Sequence, residues 1–418
     1  MRKINSQVMK NHNAMLIVRT VQKHAPISRT ELTQLVGLTT ASVINITNAL
    51  MKAGILVQIG LANGTSQGRK PVLLSVNPNA AYVIGMELNT EAITVGVSNF
   101  CGDFVNCVRT PISSYEGSES ILQKIGDTVE QSVRESGVDR GRILGMGMAL
   151  PGPLDSEEGV MINPPNFPDW NNVPIKEILE KRLGFRICCD RETNDAVLAE
   201  YYLGAAAGYK TAFFLSLFKL GGVGGGMIAN GNVLHGFRDG AGEIGHTTVD
   251  PAGTQCTCGN YGCLEAMVSG RALVSQARQL YKMNVNFSHD AAVDVDSLTL
   301  EDVFRLSEEG DEVCLHVVKQ AAAYISIALG NVINLCSPEL IVLGGTLPPM
   351  SPQLVQLVRD HIRAKTYPRH CSEIRVIEAS FGDLTFAKGA VVQALNTFTP
   401  DLVSADAYPD YMRQEAAL

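Results

Sequence analysis

Acidic residues are almost missing from the first 80 positions, where Glu31 stands alone against nine lysines and arginines. The remainder carries 25 basic and 41 acidic side chains, so +8 and −16 sum to the chain's net −8. An acidic body offers nothing to a polyanion, whereas its basic head does, so charge assigns nucleic acid to the head alone. Long apolar runs are missing as well. None approaches the roughly 18 uncharged residues of a membrane span, and Met1-Arg2-Lys3 leads into polar residues instead of the apolar core of an export signal. The chain is therefore expected in the cytoplasm. Without an export signal, the ten cysteines, Cys188 and Cys189 among them, read as thiols and not as a disulfide framework. What remains is 45% hydrophobic and 18% charged, a globular composition, and 418 residues suffice for two or three domains.

The most informative stretch runs from Gly242 to Glu265, G-E-I-G-H-T-T-V-D-P-A-G-T-Q-C-T-C-G-N-Y-G-C-L-E. His246, Cys256, Cys258 and Cys263 supply one imidazole and three sulfurs on a glycine-rich loop. That ligand set suits a closed, tetrahedral structural zinc, one per chain. Gly253, Gly259 and Gly262 give the backbone the freedom a tight metal knuckle needs. Glu243 and Glu265 bracket the knuckle, so a metal that fixes the loop also fixes two carboxylates able to bind hydroxyl groups.

Glu243-Ile244-Gly245-His246 followed by Cys-x-Cys-Gly-x-x-Gly-Cys-x-Glu resembles the signature of the ROK family of bacterial sugar kinases and sugar-responsive repressors. The likeness extends from about residue 10 to residue 397. It implies that His246 and the three cysteines bind zinc, and that His246, Glu243 and Glu265 also touch a sugar.

At the N-terminus, residues 6 to 24 predict a helix. Ser28-Arg29-Thr30-Glu31 has the form of a capping box that opens a short helix with Leu32, Leu35 and Val36 inward. Gly37 ends it. Thr39 or Thr40 caps the next helix, where Val43, Ile46 and Leu50 pack inward and Ser42, Ile44, Asn45 and Asn48 face out. Strands at 55–60 and 71–76 flank a polar segment ending in Gly68-Arg69-Lys70-Pro71, which resembles the wing of ROK repressors. The head is expected to be a winged helix-turn-helix, residues 1–78, with its second helix in the major groove of operator DNA. Ser42, Ile44, Asn45 and Asn48 are the candidate base readers, with Arg69 and Lys70 contacting the minor groove or phosphates. So small a head needs a homodimer to bind usefully.

After Asn77-Pro78-Asn79 strands alternate with helices: strands at 82–88, 92–98, 104–110 and 143–150, helices at 118–136 and 173–183, then a strand at 185–189 and a helix from Asp195 to Gly208. The second half predicts strands at 211–218, 224–230 and 340–343 and helices near 269–281, 299–307, 311–335 and 385–396. The pattern is α/β in two lobes. Resemblance makes it the actin-like (ribonuclease H-like) kinase fold, with lobes at 79–190 and 191–384, the first completed by the helix near 385–397, and a peripheral tail at 398–418.

Asn194-Asp195-Ala196 resembles the family's segment in which Asp is the kinase general base, although Asn and Asp also cap helices well. Asn166 resembles a further sugar contact. The kinases' first phosphate turn carries an Asp, two glycines and a Thr; here it reads Glu87, Asn89, Thr90 and Glu91. A carboxylate about 4 Å from a polyphosphate costs on the order of 4 kcal/mol at an effective dielectric near 20. The second loop, Gly221 to Gly226, keeps its glycines but lacks the Thr expected at Gly221, and Leu343-Gly344-Gly345 resembles the adenosine side; close strand packing explains such glycines equally well. Kinase activity is therefore not expected. The reading is a repressor of sugar-utilisation genes relieved by a monosaccharide or derivative, with two alternatives: a sugar kinase, or a repressor sequestered by a sugar-transport protein.

Overall fold

The computed structural model describes residues 6–61, 71–283, 293–365 and 374–403. It opens with α1 (Ser6–His24) and a short strand β1 (Ile27–Ser28). Ser28 starts α2 (Arg29–Val36): its hydroxyl accepts from Glu31 N at 3.3 Å while Glu31 Oε2 accepts from Ser28 N at 2.8 Å. Two otherwise orphaned amides are thus satisfied. Gly37 ends the helix at φ 67°, a conformation that favours glycine. Thr39 caps α3 (Thr40–Lys52) by accepting from Ser42 N at 3.2 Å. Val18, Val21, Leu32, Val43 and Leu50 fill the space between the helices. Leu35, expected inward, is 55% exposed, because Leu32 and Val36 already occupy the one inner stripe of so short a helix. Strands β2 (Leu56–Leu61) and β3 (Val72–Val76) pair antiparallel in the order β1-β3-β2. Arg69 and Lys70 lie outside the described residues.

The first lobe is a five-stranded sheet. β4 (Tyr82–Leu88), β5 (Ala92–Asn99) and β6 (Phe104–Pro111) form an antiparallel meander, followed by α4 (Ser118–Ser136). β7 (Ile143–Leu150) runs parallel to β4; a hairpin of β8 (Leu154–Asp155) and β9 (Val160–Met161) and helix α5 (Ile175–Leu183) lead to β10 (Ile187–Arg191), parallel to β7. The order is β10-β7-β4-β5-β6.

Helix α6 (Glu192–Tyr202) crosses to the second lobe, which begins with β11 (Thr211–Leu217), β12 (Val223–Ala229) and β13 (Asn232–Val233). Then come α7 (Leu264–Val268), α8 (Gly270–Lys282), α9 (Leu300–Glu309), α10 (Glu312–Cys336), β14 (Leu340–Gly344), α11 (Leu347–Met350), α12 (Pro352–Lys365), β15 (Arg375–Glu378) and α13 (Thr385–Val403). Its strand order is β13-β12-β11-β14-β15. Helix α10 is long and apolar enough to cross a membrane by length and composition. Here Val317, Ala321, Ile325 and Leu329 are buried in the core it shares with α8, α9 and α12.

Helices α6 and α13 lie against each other between the sheets, α13 on β4 and β7 and α6 on β11 and β12. Backbone contact is close: a Cβ on Gly389 would fall 1.9 Å from Asp195 O, and one on Gly226 2.1 Å from Thr193 O. Further along α13, Val391, Leu395, Phe398 and Leu402 share a core with Ile17 and Val21 of α1, so the helix runs on to Val403 and the segment expected to be a peripheral tail from 398 begins as core. One helix thus touches both the lobes and the head.

Candidate functional site

Between the lobes opens a cleft whose floor is the turn from β10 to α6. Asp190 Oδ1 accepts from Arg191 N at 2.7 Å and from Asn194 Nδ2 at 2.8 Å, while Oδ2 lies 2.7 Å from His235 Nε2 on the opposite lobe. The hydrogen bond to Asp190 raises the His235 pKa. Arg191 reaches across as well, donating to Glu243 Oε1 at 2.6 Å and to the Ala241 carbonyl. The next residue, Glu192, lines the cleft. Burial pushes its carboxyl up to about 7, with Glu243 and Glu87 also raising it and Arg191 opposing.

Asn166, Glu192, Gly221 and Gly222 line this same cleft. Gly221 and Gly222 turn at φ 117° and 92°, so glycine is required there for conformation. Glu265 Oε2 accepts from Val223 N at 2.9 Å, which ties the end of that loop to α7. Glu243 precedes the turn Ile244–His246 and is held by Arg191, next in sequence to the Glu192 that, with Asn166, lines the cleft.

Asn194 and Asp195 do not reach it. Both are fully buried; Asn194 orients Asp190, and neither Asp195 oxygen has a hydrogen-bond partner among the described residues. Burial, then Asp190 and Glu192, holds the Asp195 pKa well above the carboxylate range. The reason is register. Strand β10 pairs with β7 through Arg191 opposite Leu150, two residues beyond the expected end, so the helix starts at Glu192 and Asp195 falls one turn inside it. Glu192, Arg191, Asp190 and His235 are the residues that sequence reasoning missed, and the usable signal was the acid at the first helical position.

Glu87, Asn89, Thr90 and Glu91 also line the cleft, as do Arg109, Lys219 and Asp383. Asn89 Oδ1 accepts from both Glu91 N and Ala92 N at 2.9 Å, so a side chain takes the two amides of this turn. Buried Glu87 accepts from Asn89 Nδ2 at 2.8 Å. Burial pushes it up to about 7 against that bond and Arg109.

The knuckle brings His246, Cys256, Cys258 and Cys263 together with all four ligand atoms within 4.8 Å of one another. Cys258 and Cys263 Sγ are 3.7 Å apart, and Cys256 Sγ is 3.6 Å from His246 Nδ1. A tetrahedral zinc with bonds of about 2.3 Å to sulfur and about 2.0 Å to nitrogen requires edges of about 3.8 and 3.5 Å. The donor set fits. Gly262, at φ 61°, lies so close to Asp250 O that a Cβ would fall 1.5 Å from it. Gly259 also has positive φ, whereas Gly253 is needed for close packing against Gly262 and Met267. Asp250 Oδ2 accepts from Tyr324 OH at 2.8 Å, anchoring the knuckle to α10.

On α3, Ile44, Asn45 and Asn48 are exposed and Ser42 is partly so. Arg29 donates to Asn48 Oδ1 at 2.9 Å and to Thr47 Oγ1 at 2.8 Å, bracing α2 against α3.

Fold and site together define a two-lobed α/β body of the sugar-kinase kind, with a Cys3His knuckle beside its cleft and a helix-turn-helix head. The ROK family profile matches residues 83–396, and the chain belongs to the ROK family. It is 29% identical to the xylose repressor of Caldicellulosiruptor bescii, over 97% of this chain and 99% of that protein. A crystal structure of a ROK family transcriptional regulator, a homolog of E. coli Mlc, superposes with TM-score 0.80 at 25% identity, covering 95% of this chain and 99% of that one. The ROK hexokinase of Thermus thermophilus superposes with TM-score 0.64 at 32% identity, its whole length nearly matched (99%) by 76% of this chain. The regulator thus spans the head as well, and the fold is the actin-like, two-lobed one.

Proposed function

We propose that this chain is a cytoplasmic, sugar-responsive transcriptional repressor that binds operator DNA through its head as a homodimer and a monosaccharide in its cleft. The observation that carries the reading is the Asn89 turn. Backbone amides that could hold a phosphate are already bonded to Asn89 Oδ1, and the Glu91 carboxylate stands beside them. A nucleotide is disfavoured there; a neutral sugar is not. Asn166, Glu192, Glu243, His246 and Glu265 are the proposed sugar contacts, since carboxylates accept from paired hydroxyls and an amide accepts and donates. Asn194 and Asp195 support this set from behind. Zinc held by His246, Cys256, Cys258 and Cys263 supplies no chemistry to the sugar; bound, it fixes the loop between Glu243 and Glu265.

Coupling runs through helices. Glu192 begins α6, α6 packs on α13, and α13 packs on α1 of the head. Sugar that draws the lobes together moves this stack as a unit and changes the separation of two heads in a dimer. The resemblance to a hexokinase makes the enzyme reading testable: a coupled assay with ATP and common hexoses is expected to show no turnover, while thermal shift with the same hexoses identifies a stabilising sugar. Turnover of a few per second would make the chain a kinase.

A further inference from the structure

Head and body meet over a second cavity, of about 1200 Å3 with its open mouth included, that shares no lining residue with the sugar cleft. Its floor is Tyr201 and Tyr202 at the end of α6, rings edge to face with centroids 5.2 Å apart. One wall comes from α13. The other is the last turns of α1, which contribute Arg19, Lys23 and His24. Every charged residue lining this cavity is basic or, for histidine, can become so. None of the three makes an ion pair among the described residues; Lys23 Nζ instead lies 5.6 Å from the ring centroid of Tyr201. The C-terminal end of α1 offers a compensating charge of only about half a unit, against two permanent cations. The mouth of the cavity therefore presents exposed cations without an ionic partner among the described residues, beside a tyrosine pair.

We infer that this junction is a second ligand site, for a small organic phosphate. A phosphate ester answers each feature: its dianion takes charge-assisted hydrogen bonds from Arg19 and from Lys23 drawn off the Tyr201 ring, and its ring packs on the tyrosine face so uncovered. The sugar cleft differs in carrying both signs, Glu87, Glu91, Glu192 and Asp383 standing with Arg109 and Lys219 on its walls, whereas no acid lines the junction. The junction site spans head and body, so its occupant bridges α1 to α6 and α13 and fixes the head's position. A single chain thereby reads a neutral sugar in one place and a phosphorylated metabolite in another.

The test is calorimetry on the full chain at physiological salt with glucose 6-phosphate, AMP, inorganic phosphate and glucose as probes. One of the two esters is expected to bind at least about tenfold more tightly than inorganic phosphate; AMP as the winner marks a nucleotide site, glucose 6-phosphate a sugar-phosphate site. Lys23→Ala and, separately, Tyr201→Ala are each expected to weaken that ester by about tenfold, while Tyr201→Phe keeps the ring and the binding. Unchanged melting temperatures separate this from misfolding. If neither ester exceeds inorganic phosphate, the inference fails. It fails equally if ester binding is lost in Glu192→Gln but survives Lys23→Ala, which places the ester in the cleft, or if Lys23→Ala weakens only DNA binding, which assigns the cations to the DNA backbone.

Discussion

Glu192 and Asp195 differ by three positions in sequence and by their access to the cleft. The first lines the cleft, and the second is sealed behind it with Gly389 against its carbonyl. Glu192→Gln is expected to weaken sugar binding by about tenfold or more, the loss of one charge-assisted hydrogen bond. Asp195→Asn is expected to leave affinity within about twofold, because the residue touches no ligand. Calorimetry with the stabilising sugar decides, and the reverse order of effects would return Asp195 to the site. Glu87 gives a pH prediction. Its folded pKa of about 7 lies above the ordinary 4.5, so the folded state holds the proton more tightly and stability falls as pH rises from about 4.5 through 7. Glu87→Gln keeps an acceptor for Asn89 and removes the titration. The variant is expected to be more stable than the parent at pH 8, by an amount on the order of 1 to 3 kcal/mol, with the difference vanishing near pH 4. Urea unfolding at the two pH values checks this; equal stabilities at pH 8 would mean that Glu87 ionises freely.

At the scale of elements, sequence patterns carried far where the signal was local and less far where it depended on pairing. The Ser28 and Glu31 capping box, a cap at Thr39 or its neighbour, and the Cys3His cluster of the knuckle could be read directly, because each is set by spacing along one short stretch. The end of β10 could not, since it is decided by which residue of β7 lies opposite. Strand β15 is a short edge strand whose partly exposed residues show no alternation. Helix α12 is different: Leu354, Val355, Val358 and Ile362 lie at helical spacing and are all buried, so its signal was present and went unread. The knuckle supplies the prediction at this scale. About one zinc per chain is expected by elemental analysis, and Cys258→Ser is expected to lose both the metal and sugar binding while the head still binds DNA. Metal-free protein that binds sugar with unchanged affinity would show that the knuckle holds its shape without an ion.

For the whole molecule, the division of charge sets the physics of the two partners. A basic head on an acidic body is expected to bind DNA largely by phosphate neutralisation, with operator affinity falling with salt at a logarithmic slope near −0.9 per phosphate contacted. On the proposed reading, sequence preference is expected to rest on the outer face of α3, where Ser42, Ile44 and Asn45 lie. The slope is expected to belong to the head, and its response to sugar, on the proposed coupling, to the stack of α6, α13 and α1. The most direct measurement is operator affinity, across a salt series, with and without saturating sugar. Typical allosteric couplings of about 1 to 3 kcal/mol predict a 5- to 150-fold weakening by sugar, with the same factor recovered when DNA is held saturating and sugar is titrated. Tight sugar binding that leaves operator affinity unchanged at every salt concentration would contradict the account and favour control by a protein partner.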